Sequence, residues 1–121
     1  MNRDNHEDID ERTFKFAVRI IKMSLQLPHN SAGWKIGGQI IDSATSTNSN
    51  IIHARAGISR SDFINHFRIA LKEAKETKRW LEMIVAADLM PLTRMELLLQ
   101  ENEEIICVLV TIVKNSIKDR S

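Results

Sequence analysis

Three breakers cut this chain into four stretches, and each stretch repeats its apolar residues at helical spacing. Pro28 and Pro91 push the residue before them out of the α region, and Gly57 is a natural helix end. Between these points the spacing predicts helices over about 9–27, 32–56, 61–88 and 93–118. Links this short make consecutive helices antiparallel neighbours. The expected fold is a single all-α domain over 1–121, an antiparallel up-down-up-down four-helix bundle. The β-branched run from Ile106 to Val113 suggests a strand, but its length and the Glu-rich turn before it favour helix.

Helix 1 adds a constraint on assembly. At about 3.6 residues per turn, Phe14, Val18, Ile21 and Leu25 fall on one side, and Phe16, Ile20, Met23 and Leu27 on the other. A small bundle offers each helix one interior to bury, so a two-striped helix implies a second subunit. We read the Phe16 row as the oligomer interface. Ile41 and Ile52 on helix 2, flanking Thr45, and Trp80 on helix 3, with Ile69 and Ala87, extend that interface. The ordinary alternative is that these residues fill grooves within one subunit. Three extra apolar patches would be a liability on a monomer, which favours the interface.

The remaining rows define a core. Helix 2 offers Ile36, Ile40, Ala44, Thr47, Ile51 and Ala54, and helix 3 offers Phe63, Phe67, Ala70, Ala74, Leu81 and Ile84. Helix 4 carries a broad arc from Leu98 and Leu99 through Ile105, Ile106, Leu109 and Val113 to Ile117. Asn30 or Ser31 is expected to cap helix 2, Ser59 or Ser61 helix 3, and Thr93 helix 4. Gly37 and Gly38 weaken the first turns of helix 2, so that end is closely packed or loosely held.

Charge and cysteine content narrow the function classes. The net charge of +1 gives no global pull toward nucleic acid or anionic membrane, so such binding requires a local patch. The single Cys107 excludes an intrachain disulfide and a multi-cysteine zinc site, and suits a reducing cytoplasm. At the edge of helix 4 it reads as a small packed residue rather than a nucleophile. No run approaches the ~20 apolar residues of a membrane span, and the polar start MNRDNHEDIDER does not read as a signal peptide. The expectation is a cytoplasmic protein with no membrane partner.

Helix 2 contains an unusual polar tract from Ser43 to Asn50, built of residues that compete with the backbone for hydrogen bonds. It is read first as a tight helix–helix seam, and second as a polar site for a ligand or nucleic acid. Asn50, if buried, must find partners for its amide.

Gln39, Ser43, Thr45, Ser46, Asn50 and Ala54 also form a spaced pattern, continued by Ser59, Phe63, Ile69 to Ala74, Glu76-Thr77 and Trp80-Leu81. Over roughly Trp34 to Met90 it resembles the bacterial four-helix-bundle proteins named for reading frames inside intervening sequences of large-subunit ribosomal RNA genes. The resemblance implies an antiparallel four-helix bundle and a homo-oligomer, pentameric rings being known in the wider family. Relatives include an accessory protein of diversity-generating retroelements that binds nucleic acid and partners a reverse transcriptase. No catalytic residues come with the resemblance. Asp42 stands where members usually carry a basic residue, and His53 where they usually carry Glu.

The sharpest chemical feature is a basic row on helix 3. Arg68, Lys72, Lys75 and Arg79 recur at spacings of four, three and four, over about 16 Å of helix. Lys15, Arg19 and Lys22 make a shorter row on helix 1. Rows of this kind engage phosphate backbones, although Glu73, Glu76 and Glu82 stand nearby and charged rows commonly just solvate a helix. The four histidines supply neither an HExxH pair nor the Glu-x-x-His pairs of di-iron bundles, and no P-loop or Ser-His-Asp set is present. The sequence therefore points to a non-enzymatic scaffold without cofactor or metal. The alternative is a nucleic-acid-binding accessory protein, partnering nucleic acid or a nucleic-acid enzyme, that uses the basic rows.

Overall fold

The computed structural model describes residues 5–120, with side chains over 9–118. Four helices follow one another: α1 (Asn5–Ser24), α2 (Ser31–Ala56), α3 (Arg60–Ala86) and α4 (Leu92–Arg120). The caps explain the boundaries. Asn30 accepts the Gly33 N–H at 3.0 Å, and Ser59 accepts the Asp62 N–H at 3.1 Å, closing the first turns of α2 and α3. At the end of α3, Asp88 takes the left-handed conformation (φ 59°). Its N–H bonds Val85 O and the Leu89 N–H bonds Ile84 O, the paired bonds of a Schellman end.

Two boundary expectations are corrected and one holds. Regular α1 stops at Ser24, and Gln26 and Leu27 continue in tighter i to i−3 turns instead. Gly57 ends α2 as expected, in an extended conformation (φ −67°, ψ 149°) with its N–H bonded to Ala54 O. Thr93 lies inside α4, whose first turn is closed by the Pro91 carbonyl accepting the Arg94 N–H.

Each helix packs on two neighbours, α1 on α2 and α4, and α3 on the same pair, while the diagonals do not meet among the described residues. Cross-helix contacts run in opposite senses along α1–α2 and along α2–α3. Thr13 meets Asn48 near one end of α1–α2, and Gly37 lies against Ser24 and Leu27 near the other. Asn50 meets His66, and Ser43 meets Thr77, further back along α2 and further on along α3. These two helix pairs are therefore antiparallel within the four-helix bundle.

The core collects the apolar rows. Ile9, Ile20, Ile40, Ile51, Phe67, Leu81, Met95 and Leu109 are fully enclosed, and burying each large side chain contributes about 1.5–3 kcal/mol before entropy is counted. The helix-2 and helix-3 rows fall as expected, with Ile36 and Phe63 only half-buried; Ile64 and Thr77 are additional buried positions on α3. At the far end of α4, Ile117 is exposed, outside the core.

The two stripes of α1 are both present, but the row read as an interface is the one that faces the core. Phe16 (4 % exposed), Ile20, Met23 and Leu27 lie in the chain's own core, so they are not a subunit interface. The Phe14 row faces outward, with Phe14 60 % and Leu25 68 % exposed. The reason lies in what flanks each row. Small Thr13 and Ala17 border the Phe16 row and admit α2, whereas Glu11, Lys15 and Lys22 border the Phe14 row and hold it toward solvent.

Candidate functional site

The outward row of α1 does not stand alone. Asn48 and Arg55 bond α1 from α2, and Trp34 and Ile41 precede them on the same stripe at seven-residue spacing. On α1, Asp10 faces α2, and Phe14 follows it one turn later. Ile52, one turn after Asn48, completes the α2 side. Phe14, Val18, Ile21 and Leu25 therefore run beside Trp34, Ile41 and Ile52 along the outer α1–α2 groove. Phe14, Ile21, Leu25, Trp34 (67 % exposed) and Ile52 are all solvent-facing, and Ile41 is half-buried. Trp80 does not join this face. It packs half-buried against the core from α3, which does not touch α1.

A second feature lies on the opposite side. Arg68, Lys72, Lys75 and Arg79 are all exposed on α3, and none is in an ion pair among the described residues. Arg68, Lys72 and Lys75 share a shallow groove of about 330 Å³ with Leu71 and Glu76. Arg79 continues it beside Trp80 and Met83. The α1 cations are elsewhere: α1 and α3 are diagonal, so the structure does not bring the two rows together within one chain. Lys15 is also paired with Glu11 at 3.6 Å.

The charged residues that do pair are structural. Arg12 grips Glu101 with Nε and Nη2 (3.1 and 2.9 Å) and reaches Glu104, tying α1 to α4. The hydrogen bond to Glu101 holds the Arg12 guanidinium above its ordinary pKa, against the lowering effect of partial burial. The hydrogen bond to Glu103 likewise raises Lys78.

The polar tract of α2 forms seams. Ser43 meets Thr77 of α3 at 2.8 Å in the core, and Asn48 Nδ2 donates to Thr13 Oγ1 and Asp10 O of α1. Thr45 and Thr47 turn back to the carbonyls of Ile41 and Ser43. Asn50 Nδ2 donates to Ser46 O (2.9 Å) and Ser46 Oγ, while its Oδ1 faces His66 Nδ1 at 3.1 Å. Gln39 is half-buried on the same α3-facing side. Nothing in the sequence pattern signals that Asn50, His66 and His53 meet, because helical spacing within α2 does not say which α3 residue lies opposite.

A groove of about 520 Å³ lies at the α2–α3 turn between Arg55, Ile58, Arg60, Phe63 and Ser116. Cys107 is exposed rather than packed, a correction to the sequence expectation. Among the described residues no group of three or more His, Cys, Asp or Glu is placed to hold a metal ion. No described helix is long and apolar enough to cross a membrane.

The family profile of the 23S rRNA-intervening sequence protein matches residues 6–111. The chain belongs to that family. A solved structure agrees in fold: a protein of unknown function from the S23 ribosomal protein family of Bacteroides thetaiotaomicron, 33 % identical. The likeness covers 92 % of this chain and 99 % of that one, with a TM-score of 0.86. No curated protein matches. Membership of the intervening-sequence family thus brings the four-helix bundle without an assigned activity.

Proposed function

We propose that this chain is a non-enzymatic bundle module that self-associates through its α1–α2 face. One observation carries the proposal: among the described residues, half of the exposed large apolar side chains, Phe14, Ile21, Leu25, Trp34 and Ile52, share that one face. Single exposed apolar residues are ordinary, but a contiguous row on adjacent helices costs solubility unless it is covered. A second copy is the natural cover, in keeping with the ring assembly that the resemblance implies. The aromatic and branched content is that of an interface centre, and Lys15, Lys22 and Gln26 supply a polar rim. The variant Phe14→Asp with Ile21→Asp tests this. Both side chains are outside the core, so the helical spectrum should persist while the assembly falls to monomer. Unchanged assembly would refute the proposal.

A second reading is favoured by a separate observation, the four cations of α3 that have no ion-pair partner among the described residues. Arg68, Lys72, Lys75 and Arg79 can follow a phosphate backbone, and a symmetric assembly would repeat the row around its axis. In this reading the module is a nucleic-acid accessory protein, carrying RNA or DNA to a nucleic-acid enzyme.

A further inference from the structure

The α2–α3 groove holds a feature that neither reading uses. Asn50 is oriented without ambiguity: its Nδ2 lies 2.9 Å from the Ser46 carbonyl, which can only accept. Its Oδ1 therefore faces His66, 3.1 Å from Nδ1. An amide oxygen cannot donate, so His66 Nδ1 carries the hydrogen. The neutral ring is thus the Nδ1–H tautomer, and its Nε2 keeps a lone pair. A ring nitrogen fixed by a carbonyl while the other stays basic is how proteins prepare histidine for a metal.

A second imidazole stands beside it. His53 of α2 meets His66 edge-on, with ring centres 5.6 Å apart and planes 71° apart. Two imidazoles on one zinc ion, with Zn–N of about 2.0–2.1 Å and a tetrahedral angle, hold their ring centres roughly 5 Å apart. The pair is close to that spacing already. His53 is exposed and His66 half-buried, so an ion can reach the groove from solvent.

We propose that His53 and His66 form a two-imidazole site for a borderline divalent transition metal such as zinc, with Asn50 as the positioning residue. Two nitrogen ligands suit zinc, copper or nickel and not magnesium or calcium, which take oxygen. With no third acidic, Cys or His ligand within reach among the described residues, water fills the remaining positions. The ion joins α2 to α3 close to the turn that connects them. This site is independent of the self-association proposal, because it lies on the α3 side of α2.

The test is a calorimetric titration of the tag-free full chain with zinc ion. The expected result is one saturable site per chain, weakened at least tenfold by His53→Ala and unchanged by His29→Ala. Asn50→Ala should weaken zinc by about 10–100-fold, as loss of an outer hydrogen bond to a ligating histidine does. Nitrogen-15 spectra of the metal-free protein should show His66 protonated at Nδ1. Absence of saturable binding, zinc affinity unaltered in His53→Ala, or an Nε2–H tautomer at His66 would each overturn the proposal. Because His53 is exposed, its replacement leaves the fold intact and the comparison meaningful.

Discussion

Ser43 of α2 and Thr77 of α3 share a hydrogen bond of 2.8 Å between hydroxyls that are both enclosed by the core. Thr77 also reaches the Glu73 carbonyl of its own helix at 3.0 Å. When Thr77 gives its hydrogen to Glu73, Ser43 donates across the seam. Removing one partner leaves the other hydroxyl only its own-helix carbonyl, Ile40 O for Ser43 and Glu73 O for Thr77. Thr77→Val should therefore cost about 1–2 kcal/mol, and Ser43→Ala about 1 kcal/mol. The double variant should cost less than the sum, since the one cross-helix bond is lost in either single variant. Denaturant unfolding of the four proteins measures the coupling.

Gly33 gives a sharper prediction. A Cβ at Gly33 would sit 1.9 Å from the Pro28 carbonyl oxygen, a backbone atom that cannot swing aside. Gly33→Ala should thus destabilise by about 3 kcal/mol or more, at the upper end of overpacking costs. At Gly38 an added Cβ would meet nothing within 4 Å, and the residue is exposed. Gly38→Ala should instead stabilise by about 0.5–1 kcal/mol through helix propensity. Thermal unfolding of the two variants should move in opposite directions.

Arg12 and Glu101 form a two-point grip across α1 and α4, both side chains about three-quarters covered. A double-mutant cycle with Arg12→Ala and Glu101→Gln should give a coupling of about 1 kcal/mol, the upper end for pairs near the surface. Arg12 has a folded pKa raised above its ordinary value, so its contribution is complete below the unfolded value and is lost only as pH rises through the higher folded value. Between about pH 7 and 10 the coupling should therefore not change on the arginine side. Screening by salt should weaken it only modestly.

The α3 row predicts a salt-dependent interaction. If phosphate backbones use it, Lys72→Glu with Arg79→Glu should abolish RNA or DNA retention, and binding by the parent chain should fall steeply between about 50 and 200 mM salt. Both side chains are exposed, so the fold should be unaffected. Fluorescence anisotropy with a labelled oligonucleotide reads the loss. Equal binding by the reversed variant would remove the row from consideration.

Much of the architecture is legible in the chain. Pro28 and Pro91 mark the breaks, and rows such as Ile40, Ala44, Thr47 and Ile51 name the face that α2 buries. Periodicity shows that α1 has two apolar rows, but not which one meets the core, because both repeat equally well. That choice is made by partners far along the chain: Asn48 and Arg55 on one flank of the Phe16 row, Glu101 on the other. The small Thr13 and Ala17 beside that row are the available signal. Gly37 and Gly38 stand out in the sequence as a pair, yet Gly33 is the glycine the fold requires, since only the path of the turn brings Pro28 over it. The Asn50–His66–His53 cluster likewise depends on the register of α3 against α2, which no single-helix pattern contains.

The most direct test of the central claim is the absolute mass of the chain in solution, by light scattering at low and high salt. Assembly through Phe14, Ile21, Leu25 and Trp34 predicts a stable multiple of 13.9 kDa at both salts, because apolar burial is not screened. A mass of 13.9 kDa at both salts would contradict it.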